Sequence, residues 1–153
     1  MKTTLGACTW YSDTLEVFTR SKGLYEITPL VEDALHELKA TFGLCHLYLP
    51  HTSASLLINE CYDPTARQDL ETFLERLVPE NQPWMRHTLE GADDSSSHLR
   101  AGLLPTSLSI PLEAGRLQLG RWQGIYLVEH RSARQRRQVR LDVLTFSPTG
   151  GEA

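Results

Sequence analysis

The sequence predicts an α+β fold: a single-domain sandwich in which a largely antiparallel sheet carries helices on one face. Three observations point there. Strand-like and helix-like stretches succeed one another as strands, helix, strands, helix, helix, strands, without the regular alternation of a parallel α/β sheet. Two of the helical stretches place apolar residues at the 3.6-residue period between recognisable start and stop signals. The 153 residues, 41% apolar and 22% charged, have the size and balance of one ordinary domain, able to bury roughly 68–70% of its unfolded surface without staples.

Each element has its own warrant. "TLEVFT" (14–19) reads as a strand and "SKG" (21–23) as a turn. "ITPLVEDALHELKATFG" (27–43) is predicted as a helix: Thr28 caps it, Pro29 suits its first turn and Gly43 suits the position after its end. Leu30, Val31, Ala34, Leu35 and Leu38 form its apolar stripe. Residues 44–50 and 54–60 are strand-like. Asp63-Pro64 opens a second helix, Ala66, Leu70, Phe73, Leu74 and Leu77 make its stripe, and Pro79 ends it. "SSHLRAGLLP" (96–105) fits a third, short helix. "SLSIPL", "GRLQLG", "QGIYLVEH" and "QVRLDVLTF" follow as strands, with "EAG" (113–115) a hairpin turn. Residues 1–146 read as one domain, and "SPTGGEA" (147–153) as a disordered tail.

Composition narrows the function. A net charge of −4 argues against a nucleic-acid or membrane surface. No apolar run approaches 18 residues, and "MKTTLGACTWYSD" has no continuous apolar core of a signal peptide. Cys8, Cys45 and Cys61 are odd in number and lack C-x-x-C spacing, which favours reduced thiols and a cytoplasmic address.

Polar residues with chemical potential gather at element ends. "HTSASLLINE" (51–60) offers His51, Thr52, Ser53 and Ser55 between two apolar runs. "HTLEGADDSSSH" (87–98) offers two histidines around a Gly-Ala-Asp-Asp turn. A loop folded back there brings His87 and His98 together. A third imidazole, His51, would complete a three-ligand open site for a divalent ion, with Asp94 or Glu90 orienting a ring N–H. The offsets are not diagnostic in the way H-E-x-x-H is. Blander readings stand beside these. A loop histidine is usually a surface or hydrogen-bonded structural residue, and Asp94, Ser95 or Ser96 suits a helix cap. His36 and His46 read as structural. The run Arg131, Arg134, Arg136, Arg137, Arg140 reads as a solvated charged turn, and Trp10, Trp84 and Trp122 as core or interface. Tyr126, in an apolar strand, needs a hydroxyl partner rather than a substrate.

Five ordered blocks, "HTSASLLINE", "DPTARQDLETFLERLVPE", "HTLEGADD…HL", "SIPLEAGRLQLG" and "WQGIYLVEHR", together resemble the YjbQ family of small uncharacterised proteins, over about residues 10–146. The resemblance implies an α+β sandwich, a homotrimer, and thiamine-phosphate-synthase-like activity on a phosphorylated small molecule. It implies a pocket for a divalent metal (zinc or magnesium) or an anion, with His51, His87 and His98 as ligands and Glu90 and Asp94 in the catalytic set. It further implies contacts to substrate from Thr52, Ser53, Asn59, Gln123, His130 and Arg131. Three positions depart from the family pattern: Cys61 where Asn is usual, Ser96-Ser97 for Pro-Ala, and Arg121 for Thr. Cys61 and Arg121 leave the histidines untouched but alter the charge around them. Two other functions fit the same residues: a metal-assisted hydrolase, since three imidazoles suit water activation better than diphosphate-bound magnesium, and a non-catalytic trimeric module that binds an anion or metabolite.

Overall fold

The computed structural model describes residues 5–148. It is an α+β structure of eight antiparallel strands and three helices among those residues. The strands are β1 (Leu5–Thr19), β2 (Gly23–Glu26), β3 (Gly43–Tyr48), β4 (Ala54–Glu60), β5 (Ser107–Glu113), β6 (Arg116–Leu117), β7 (Gln123–Glu129) and β8 (Gln135–Pro148). The helices are α1 (Thr28–Glu37), α2 (Pro64–Leu77) and α3 (Asp94–Leu103).

The strands form two sheets rather than one: β1-β8-β3-β5-β6 and β2-β7-β4. Side-chain alternation explains the split. Ala54, Leu56 and Ile58 of β4 and Ile125 and Leu127 of β7 face Leu15, Cys45, Leu47, Ile110, Leu112, Val139, Leu141 and Val143 of the larger sheet. α1 adds Val31 and Leu35 to this main core. The opposite face of the smaller sheet, Leu24, Tyr126 and Val128, packs with Leu74 of α2 in a second cluster. β7 is therefore covered on both sides, which is why "IYLV" reads as an unbroken apolar run. The Tyr126 hydroxyl finds its partner in the Glu60 carbonyl at 3.2 Å.

Several elements differ from the sequence reading. α1 stops at Glu37, not near Gly43. Lys39 turns left-handed (φ 52), and the N–H groups of Lys39 and Ala40 return to the His36 and Leu35 carbonyls, the Schellman closure that glycine usually supplies. Thr28 does not cap; its hydroxyl accepts the Ile125 N–H at 2.8 Å and ties the helix to β7. Gly43 instead opens β3, where a Cβ would lie 1.8 Å from the Leu144 carbonyl oxygen. β1 begins well before residue 14, and β2, absent from the sequence reading, is a four-residue strand made by its pairing with β7. "GRLQLG" contributes only β6; the two-residue turn Ala114-Gly115, both at positive φ, joins it to β5. α2 begins as expected: the Asp63 carboxylate accepts the Thr65 N–H at 2.8 Å. The three tryptophans stay exposed, at 60% (Trp10), 65% (Trp84) and 47% (Trp122). Ser147 and Pro148 extend β8, and the rest of the expected tail lies outside the described residues.

Candidate metal centre

α3 builds the site. It starts at Asp94, two residues before the sequence reading placed it, because Asp93 and not a serine occupies the capping position. The Asp93 carboxylate makes no cap bond. It accepts the Ser132 N–H at 2.7 Å and lies 3.4 Å from Arg131 Nε. Burial pushes its carboxyl up, but these two contacts hold it below the ordinary aspartate range.

Asp94 and His98 are one turn apart and share a helix face. Asp94 is 1% exposed. Its Oδ1 receives the Arg131 Nη1–H donor, and its Oδ2 lies 2.6 Å from His87 Nε2 and 3.2 Å from His98 Nε2. His87 arrives from the irregular segment after α2, its ring centroid 5.3 Å from that of His98. The donor atoms of His87, Asp94 and His98 all lie within 4.8 Å of one another. Tetrahedral zinc with bonds near 2.0–2.1 Å separates its ligand atoms by about 3.3 Å, so small side-chain rotations bring this set to coordination distance.

The tautomer of His98 is settled by geometry. Its Nδ1 lies 2.8 Å from the Thr52 carbonyl oxygen, which can only accept, so Nδ1 carries the proton. In the neutral ring Nε2 then presents a lone pair toward the Asp94 Oδ2 acceptor. Two acceptors facing each other require a proton or a cation between them.

His51, His87 and His98 line one open cleft of about 640 Å³ with Thr52, Ala101, Gly102 and Thr106. His51 nevertheless lies outside the converging set. Its Nε2 accepts the Gln138 N–H of β8 at 2.9 Å, so the third donor beside His87 and His98 within one chain is Asp94. Burial, with the nearby Arg137 charge, pushes the His51 imidazole down from its ordinary range and keeps it neutral at physiological pH.

The residues expected to contact substrate separate. Thr52 rims the cleft. Ser53 is buried, its hydroxyl 2.9 Å from Arg137 Nη2. His130 is 1% exposed. Its Nε2 pairs with the Ser55 hydroxyl at 2.9 Å, and burial pushes the ring down to about 3, so it is a neutral structural histidine. The Arg131 guanidinium is engaged with Asp94, Asp93 and the Glu90 carbonyl (2.8 Å), while Glu90 itself is exposed. Arg131 therefore orients Asp94 rather than presenting a free fork to an anion. Asn59 and Gln123 stand at the far end of the β4–β7 ladder from Ala54 and Glu129, about 17 Å along the strands. Within one chain they do not reach the cleft.

Behind the cleft lies an ion pair that the sequence reading missed. Glu129, 1% exposed, and Arg137, 5% exposed, meet through Arg137 Nη2 to Oε1 at 2.6 Å and Nε to Oε2 at 2.7 Å. Glu129 also accepts the Thr19 hydroxyl and the Arg131 N–H, each at 2.9 Å. The arginine run is thus not a uniform solvated turn. The missed signal was parity: Arg137 shares its face of β8 with Val139, Leu141 and Val143, all buried.

Comparison with known proteins adds the following. Residues 13–145 match the family model described as "UPF0047 protein YjbQ-like". The UPF0047 protein YjbQ of Escherichia coli O157:H7 is 46% identical over 123 residues, covering 80% of this chain and 88% of the relative. A UPF0047 protein of Synechocystis is 40% identical over 129 residues, covering 84% and 88%. Among solved structures, a YbjQ-like protein of unknown function from Sulfolobus solfataricus superposes with a TM-score of 0.82 at 26% identity, covering 91% of this chain and 99% of that one. A conserved hypothetical protein from Thermus thermophilus gives 0.75 at 38% identity, covering 88% and 99%.

Proposed function

The chain belongs to the YjbQ-like UPF0047 family, and from that premise we propose that this member is a small-molecule enzyme built around a divalent metal ion held by His87, Asp94 and His98. One observation carries the reading. Two imidazole nitrogens converge on one oxygen of a buried carboxylate at the wall of an open cleft, and His98 is locked in the tautomer that leaves its inward nitrogen free. Two nitrogens and one oxygen suit zinc and its neighbours; magnesium, which favours all-oxygen shells, suits the set less. A divalent ion held there supplies Lewis acidity and makes water nucleophilic near neutral pH.

The chain's own residues prepare the site. Arg131 fixes the Asp94 rotamer and the Thr52 carbonyl orients His98, while His51 on the same wall, its Nε2 lone pair taken by the Gln138 N–H, keeps only its Nδ1–H to donate. The favoured chemistry is metal-assisted hydrolysis of a small molecule. Thiamine-phosphate-synthase-like transfer on a phosphorylated substrate is the second reading. It asks for cations around a departing pyrophosphate, and the guanidinium beside the cluster is already engaged. A homotrimer is part of the proposal, supported by Phe73, Leu77, Trp84 and Leu103, which are 56, 52, 65 and 60% exposed. So is a cytoplasmic address, supported by three free cysteines; no described helix is long and apolar enough to cross a membrane.

Metal analysis and zinc titration of the purified protein test the centre. The expected result is about one tightly held ion per chain, lost in His98→Ala while the fold persists. A protein that takes up no divalent ion at micromolar concentration refutes the metal reading and favours a non-catalytic metabolite-binding module.

A further inference from the structure

Gly102 occupies the penultimate position of α3 with a right-handed backbone. Neither φ nor packing demands a glycine there: a Cβ built on Gly102 meets no atom within 4 Å. Contrast Gly43 and Gly124, where added Cβ atoms fall 1.8 Å from the Leu144 carbonyl oxygen and 2.7 Å from Cys61 Cβ. Glycine within a helix weakens it relative to alanine. The space that Gly102 leaves open belongs to the cleft, alongside Ala101 and Thr106 and beside the three histidines. Among the described residues no lysine or arginine lines that cleft, and Arg131 is turned into Asp94 and the Glu90 carbonyl.

We infer that Ala101 and Gly102 form a subsite for the uncharged apolar body of a small ligand whose polar head reaches His87, Asp94 and His98, and that Gly102 sets the size of body admitted. The inference rests on the metal reading for the head group but not for the subsite. A neutral substrate with an aryl or branched alkyl group, such as an ester or amide, fits this lining. A diphosphate body does not fit Ala101 and Gly102, because no lysine or arginine lines the cleft beside them.

Two hydroxamic acids separate head from body, since both present the same metal-chelating group. In zinc-loaded full-length protein, benzohydroxamic acid should bind at least about 10-fold more tightly than acetohydroxamic acid, as expected when a phenyl ring replaces a methyl and much of it is buried. Gly102→Leu should remove that ratio while leaving zinc and acetohydroxamic acid binding unchanged. Gly102→Ala should fold with a higher melting temperature, showing that the glycine is not structural. An unchanged ratio in Gly102→Leu overturns the inference. So does a change of oligomeric state in Gly102→Leu by light scattering, because the space would then belong to a second copy of the chain. If the protein binds no zinc, the metal reading fails separately. Amide shifts at Gly102 and Thr106 on adding benzyl alcohol to metal-free protein then decide the subsite alone: their presence upholds it and their absence sinks it.

Discussion

Replacing Asp94 with Asn keeps the side chain's size and removes its charge. In metal-free protein the variant turns the ion pair with Arg131, whose partners are 18% and 1% exposed, into a hydrogen bond to a neutral amide oxygen. Arg131 keeps the Glu90 carbonyl at 2.8 Å and Asp93 at 3.4 Å, so the cost is the difference between a charged and a neutral acceptor, about 1 kcal/mol. Relief of the opposed acceptors at Oδ2 and His98 Nε2 offsets part of it. The zinc response is the sharper readout. A free ion at 100 times its dissociation constant stabilises the native state by about 2.7 kcal/mol. For a domain of this size that raises the melting temperature by about 5–11 °C. Loss of a charged ligand should weaken binding by more than the roughly 10–100-fold seen for groups that only support ligands. At the same zinc concentration the stabilisation then falls to about 0.4 kcal/mol or less, a shift of about 1 °C. Calorimetric melts of both proteins, with and without zinc, provide the comparison. An equal zinc shift in Asp94→Asn means that the carboxylate is not a ligand and the convergence on Oδ2 is only a hydrogen-bonded cluster.

Three further outcomes are expected. Glu129→Gln leaves Arg137 buried without its charge partner and should cost about 3–5 kcal/mol, or about 6–20 °C in melting temperature; a loss under about 1 kcal/mol shows the pair to be dispensable. His130 is held neutral in the fold at about 3, whereas the unfolded chain protonates it near 6.5. The unfolded state thus binds more protons between these values, and stability falls as pH drops from about 6.5 toward 3, by up to about 1.4 kcal/mol per pH unit. Urea titrations from pH 7 to pH 4 should show that slope reduced in His130→Gln, and an identical slope in both proteins contradicts the assignment. Gly43→Ala places a methyl 1.8 Å from a backbone oxygen that no rotamer can move, so it should cost about 3 kcal/mol or more; a melting temperature near the parent's would mean that β3 and β8 do not approach so closely.

What was legible in the sequence followed from how local each signal is. Asp63-Pro64 and Pro79 bracket α2 because capping and proline geometry act over a few residues. β2 carried no comparable signal: its four residues hold one buried apolar side chain, Leu24, and it is a strand because β7 pairs with it. Gly43 misled because glycine serves two purposes, left-handed helix ends and close backbone approach, and only the fold distinguishes them. At the site, the approach of His87 to His98 and their shared cleft with His51 were legible from loop placement. The role of Asp94 was half legible, since an acidic residue at a helix start reads equally as a cap. Arg131 was read as a phosphate fork because nothing local reveals that Asp93, Asp94 and the Glu90 carbonyl already surround it.

The pairing of β1 with β8 bears on how the chain acquires its shape. The register runs from Leu5↔Pro148 to Thr19↔Gln135, and β3 borders the same β8 on its other side. On a ribosome, both β1 and β3 emerge long before the strand that separates them. Until β8 arrives, Leu15, Val17, Cys45 and Leu47 lack the neighbours that bury them, and the larger sheet can only close as a late, long-range event. Such topology folds slowly and leaves unpaired strand edges open to other chains in the meantime. Nascent chains halted before residue 135 should accordingly be rich in chaperone contacts and poor in protease protection, while release of β8 should bring both to native values within one cooperative step.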